Sequence, residues 1–282
     1  MDAAKRSSAE TPLKNERQYR EEICRFGKML HERGFVAATD GNLSVRLGDG
    51  NILVTPTGMC KSMMEADDLA VVDLDGRQVS GRRGVTSEIG MHLLIYRLRP
   101  DINAVVHAHP PTATGFAACG QPLDQPLVSE IVVALGCVPL AKYATPGTPE
   151  LAEALEPLVG EYDAILMANH GVVAYAEELE KAYMKMETVE HFSKISVVCQ
   201  MLGTPQLLND AEVSKLLLAR QKYAGVTSTA PMAPKNGHAN GRNGVSTRPL
   251  RGFGDAFRES KRLVYSAFAL FLASARLITH RR

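Results

Sequence analysis

Residues 103–111 read NAVVHAHPP, and this stretch restricts the fold more than any other. An apolar run that stops at two prolines suits a strand, in which successive side chains point to opposite faces. His107 and His109 therefore leave the same face, one rung apart. Two imidazoles side by side in a half-buried place need something to hold them, and a divalent metal is the usual holder. Taken alone, the pair is also compatible with two buried histidines satisfied by carbonyl groups.

Around that strand the chain alternates short strands with helices. Tyr19, Ile23, Phe26 and Leu30 predict one helix over 14–33, with Gly34 as its stop. Residues 41–58 alternate about Asp49-Gly50 and predict a β-hairpin, followed by a strand at 69–76 with its own Asp-Gly turn. A helix is expected from about Ser87 to Leu98, and a short one from Thr112. A strand follows near 138–144, then a capped helix over 148–159. "DAILMANHGVVAYA" reads as two apolar strands broken at Asn169-His170-Gly171. A long helix from Glu177 to Leu202 carries Leu179, Ala182, Met186 and Val189 on one stripe.

The two ends differ from this body. Residues 1–13 are polar, lack the apolar stretch of a signal peptide, and are expected to form a disordered tail. Residues 224–250 are rich in Gly, Pro, Asn, Ser and Thr and read as a flexible linker. Residues 251–282 read as a basic amphipathic helix. Residues 248–282 carry a net charge of +6, against −5 for the remainder. Its apolar part is short for a membrane span and contains Arg276, so it fits either docking on protein or contact with an anionic membrane surface. The five cysteines are scattered and odd in number, which favours reduced thiols in a cytoplasm. No nucleic-acid partner is expected.

Three features lie near strand ends or helix starts: His107 with His109, His170 in Asn169-His170-Gly171, and Thr86-Ser87-Glu88. Three imidazoles and an oxygen ligand would suit Zn²⁺, with Fe²⁺, Mn²⁺ or Co²⁺ as other candidates. The second set concerns phosphate. Thr86 and Ser87 stand at an expected helix N-terminus, where free N–H groups attract anions, and TPTG at 55–58 ends a strand. The simpler reading is that Thr86 or Ser87 caps the helix and TPTG is a turn. His92, one helical turn after Glu88, is either a partner for it or a satisfied structural histidine. His31 and His191 read as structural or surface groups.

GNLSVR, TPTGM, Ser87-Glu88 before a helix, RPDINAVVHAHP, YATPGT and NHGVVAYA follow one another in the order and spacing of a known family. Over roughly residues 14–205 the chain resembles the class II sugar-phosphate aldolase/epimerase family, a fold also shared by the non-catalytic adducin head. The resemblance implies a three-layer αβα fold with a mostly antiparallel central sheet. It also implies a fourfold-symmetric homotetramer with active sites between subunits. His107, His109 and His170 would hold zinc, and Glu88 would be a fourth ligand that swings away to act as the base. Asn42, Thr57, Gly58, Thr86 and Ser87 would bind the substrate's phosphate.

The implied reaction is reversible cleavage of a ketose 1-phosphate, fuculose 1-phosphate-like, to dihydroxyacetone phosphate and a short aldehyde through a zinc-stabilised enediolate. A glutamate at position 88 leans towards aldolase. A 4-epimerase or dehydratase acting on a related sugar phosphate is the alternative, and an adducin-like interaction module a more remote one. One departure stands out. In aldolases of the family a tyrosine of the adjacent subunit acts as acid, whereas the matching stretch here, LVSEIVVALG, puts Glu130 at or next to that place. Tyr143 is the weaker candidate.

Overall fold

The computed structural model describes residues 14–223. The expected tail (1–13), linker (224–250) and basic helix (251–282) lie outside the described residues. Eight strands form one sheet: β1 (Asn42–Arg46), β2 (Ile52–Val54), β3 (Ala70–Val72), β4 (Gln78–Ser80), β5 (Ala104–Ala108), β6 (Leu140–Ala141), β7 (Ala164–Met167) and β8 (Gly171–Ala176). Their order is β4-β3-β2-β1-β5-β8-β7-β6. Every pair is antiparallel except β6 with β7. The helices are α1 (Glu16–Glu32), α2 (Ile89–Leu98), α3 (Pro111–Ala118), α4 (Ser129–Ala134), α5 (Pro149–Val159), α6 (Leu179–Leu202) and α7 (Asp210–Tyr223).

The sheet has a separate apolar core on each face, which gives the three-layer αβα arrangement. On one face Leu43, Val45, Val106 and Ala174 meet Ile23 and Phe26 of α1, Phe116 of α3, Ile131 of α4 and Met186 of α6. On the other, Val105, Val173 and Tyr175 meet Met91 and Ile95 of α2 and Leu151 and Leu155 of α5. Alternation along each strand decides the division. It leaves Asn42, Ser44 and His107 on the α2 face, polar intruders among apolar neighbours.

The helix ends follow from local chemistry. Asn15 and Gln18 form a reciprocal capping box at the start of α1: the Asn15 side chain accepts from Gln18 N at 2.9 Å, and the Gln18 side chain accepts from Asn15 N at 2.8 Å. After α1 the chain turns at Gly34, with φ +69°.

Several expectations are refined. The strand expected at 69–76 is shorter, because the turn at Asp73–Gly76 sends the chain back as β4. The strand near 138–144 contracts to two residues paired with β7. Helices α4 and α7 were not anticipated. Asn209 starts α7 by accepting from Ala211 N and Glu212 N, both at 3.0 Å, while Glu212 returns a bond to Asn209 N. None of the described helices is long and apolar enough to cross a membrane.

Candidate metal centre

The sheet register puts the first ligand in place. His107 on β5 pairs with Asn42 on β1 and with Val173 on β8, so it sits at the sheet's centre. Its ring is fully buried. Its Nδ1–H donates to Val172 O at 2.9 Å, which turns Nε2 towards the α2 face. His109 follows just past the strand end, fixed by its backbone N–H donating to Phe35 O at 2.8 Å. His170 arrives on the tight turn between β7 and β8, where Asn169 adopts φ +55°.

The three rings converge. Their centroids lie 4.8 to 5.1 Å apart, and one ligand nitrogen from each falls within 4.8 Å of the others. His107 Nε2 and His109 Nε2 are 3.1 Å apart. Glu88, at the start of α2, closes the cluster. Its Oε2 lies 3.1 Å from His107 Nε2 and its Oε1 3.2 Å from His170 Nε2. Oε1 is buried and receives no aligned hydrogen bond. Asp40 Oδ2 stands 3.4 Å behind His109 Nδ1. Such an outer carboxylate orients a ligating imidazole.

The clustered groups shift one another's protonation. Burial opposes ionisation of Glu88, but the imidazoles of His107 and His170 outweigh it and hold the carboxyl well below its usual range. Burial, with His107 and His170 beside it, lowers His109 to about 4, leaving the neutral ring that a metal binds. For His107, burial is overcome by the Glu88 carboxylate, and the value rises. Three nitrogens and one carboxylate, whose Oε1 is buried and orphaned, fit a divalent cation of the zinc type.

A layer of polar groups stands behind Glu88. Asn42 Nδ2 donates to Glu88 Oε2 at 2.8 Å, and Asn42 Oδ1 meets His92 Nε2 at 2.5 Å. His92 Nδ1 lies 2.6 Å from Ser44 Oγ, which lies 2.8 Å from Tyr96 OH. His92 on α2 is thus a partner to the site through Asn42. Asp40, Ser44 and Tyr96 escaped sequence reasoning. Ser44 alternates with Asn42 on β1 and could have been placed on the same face; the others carry no local signal.

The remaining residues are placed as follows. An isolated bridge between Pro56 and Val85 lays the TPTG turn beside Thr86 and Ser87. Thr57 and Gly58 are exposed there, with Gly58 at φ +65°. Thr86 is buried and its Oγ1 accepts from Glu88 N at 3.3 Å, just ahead of α2, whose N-cap position is Glu88 and carries no side-chain cap bond. Ser87 is exposed beside Gly147 of the 143–148 loop. Asn42 is committed to Glu88 and His92 but keeps one amide hydrogen. Glu130 stands apart from the histidines within the protomer. It is exposed on α4, beside Thr188 and His191 of α6. Tyr143 is 61% exposed.

Known proteins resemble this chain in fold and sequence. The chain is 36% identical over 206 residues to 5-deoxy-D-ribulose 1-phosphate aldolase of Bacillus thuringiensis, covering 72% of this chain and 96% of that one. It is 37% identical over 187 residues to 3-oxo-tetronate 4-phosphate decarboxylase of Escherichia coli K12, covering 64% and 87%. A solved L-fuculose 1-phosphate aldolase superposes with a TM-score of 0.69 at 33% identity, covering 74% of this chain and 98% of that one. The family model described as "Class II Aldolase and Adducin N-terminal domain" matches residues 21–197, and the chain belongs to that family.

Proposed function

We propose that the protein is a zinc-dependent lyase that reversibly cleaves a ketose 1-phosphate to dihydroxyacetone phosphate and a short aldehyde. The supporting observation is the Glu88 carboxylate, with Oε2 held by Asn42 and Oε1 3.2 Å from His170 Nε2 without an aligned hydrogen bond, beside three convergent imidazoles. His107, His109, His170 and, at rest, Glu88 would hold the cation. When bound, it supplies Lewis acidity that draws electrons towards the substrate's carbonyl and adjacent hydroxyl. In the condensation direction Glu88 takes a proton from the hydroxymethyl carbon of dihydroxyacetone phosphate. In cleavage it returns that proton to the same carbon after the C–C bond breaks.

Thr57, Gly58, Thr86 and Ser87, with the spare hydrogen of Asn42, would receive the phosphate through neutral donors. That binding is remote from the reacting carbons and serves orientation. Glu130 of a neighbouring subunit in a homotetramer would exchange the proton on the aldehyde oxygen, with Tyr143 as the alternative. The catalytic unit would be residues 14–223. Five free thiols suit a reducing cytoplasm.

Decarboxylation of a 3-oxo acid phosphate is a second reading, favoured by the 37% identity to a decarboxylase. It also breaks a C–C bond beside a carbonyl. A panel of ketose 1-phosphates and 3-oxo acid phosphates, assayed for dihydroxyacetone phosphate and for carbon dioxide, separates the two. His107→Ala is expected to lose metal and turnover together. Glu88→Gln is expected to keep metal while exchange of the hydroxymethyl protons with solvent falls by at least about 100-fold. Undiminished exchange in Glu88→Gln removes Glu88 from the role of base.

A further inference from the structure

Asn42, Ser44, His92 and Tyr96 form an unbroken polar line, all between 0% and 5% exposed, in an otherwise apolar layer. Buried polar groups need their partners, and each bond here has only one workable direction. The Glu88 carboxylate can only accept, so Asn42 must present its NH2 to Oε2. Turning the amide over would set Asn42 Oδ1 against that carboxylate. Asn42 Oδ1 then faces His92 and can only accept, so His92 Nε2 carries the hydrogen. Burial lowers His92 to about 3, so the ring is neutral and Nδ1 accepts. Ser44 Oγ–H therefore donates to Nδ1, and Tyr96 O–H, kept protonated by burial, donates to Ser44.

We propose that His92 is a positioning residue which, through Asn42, locks Oε2 of Glu88 and so reserves Oε1 as the oxygen that takes the proton. The inference rests on the reading of Glu88 as base. The line fixes an amide orientation that Asn42 alone would not have. A freely rotating amide would present oxygen to the carboxylate part of the time and release Glu88 from its place.

The test has an arm independent of turnover. In holoprotein labelled with ¹⁵N-histidine, the signal lost in His92→Leu is expected to be that of a neutral ring protonated at Nε2. A ring protonated at Nδ1 overturns the proposal. In the second arm, His92→Leu is expected to keep full metal content while proton exchange falls about 10- to 100-fold. His92→Gln, whose amide N–H can replace Nε2–H, should recover part of that loss. Wild-type exchange in His92→Leu sinks the idea, as does equal loss of metal and melting temperature in both variants, which would mark a purely structural role. If the wild-type protein exchanges protons of no sugar phosphate, the aldolase reading fails, and the tautomer alone decides whether the line is set as argued.

Discussion

Gly171 has no room for a side chain. A Cβ there would lie 2.5 Å from His109 Cδ2 and 2.7 Å from Ala108 O, and the backbone cannot yield without dragging β5 or β8. Gly171→Ala is therefore expected to lose about 1–3 kcal/mol of stability and about 10- to 100-fold in metal affinity. Urea unfolding and metal titration check the two effects. Lys61 is the other residue under constraint. It is buried, with Nζ donating to Thr39 O at 3.0 Å and Met59 O at 2.7 Å. Burial lowers it to about 8. Between that value and roughly 10.4, its unfolded value, the unfolded chain binds the extra proton, so stability should rise with pH. The wild-type urea midpoint should gain on that of Lys61→Met between about pH 7.5 and about pH 10; a constant difference would contradict it. His107 and His109 were readable as same-face neighbours because a strand has period two. The arrival of His170 depends on the pairing of β5 with β8, which no local pattern encodes. Asp40 and Tyr96 were hidden for the same reason.

The element that follows the ligand strand is α3, which packs on β7, β8 and α6. It starts at Pro110-Pro111, which offer no capping side chain, and Glu190 of α6 fills that role from another helix. Glu190 accepts from Thr112 Oγ1 at 2.8 Å, Ala113 N at 2.9 Å and Thr112 N at 3.1 Å, and it is 1% exposed. Lys194 lies 3.3 Å from the same carboxylate. Glu190→Ala leaves two N–H groups, that of Ala113 buried and that of Thr112 half-buried, without acceptors and is expected to cost about 1–3 kcal/mol. Amide exchange at Thr112 and Ala113 should accelerate more than in α5, which lies on the sheet's other face. Periodicity made α1, α5, α6 and the first hairpin legible. Helix α4 has six residues and completes too few turns to show a period. Helix α7 did carry a readable stripe in Val213, Leu216 and Leu217, partly buried against the core.

At the scale of the whole molecule, both apolar cores of the described residues are built within 19–217. A chain ending at Tyr223 is therefore expected to melt cooperatively, bind metal and exchange substrate protons as the full chain does. Calorimetry and the exchange assay measure this, and loss of cooperative melting would refute it. Native mass spectrometry of both chains tests the proposed tetramer. The imidazoles themselves come from two stretches about sixty residues apart. A cation gripping them is a knot between distant lengths of cord, and it shortens what the denatured chain can explore. Withdrawing it with a chelator should then blunt the protein's tolerance of heat, beyond whatever it does to turnover.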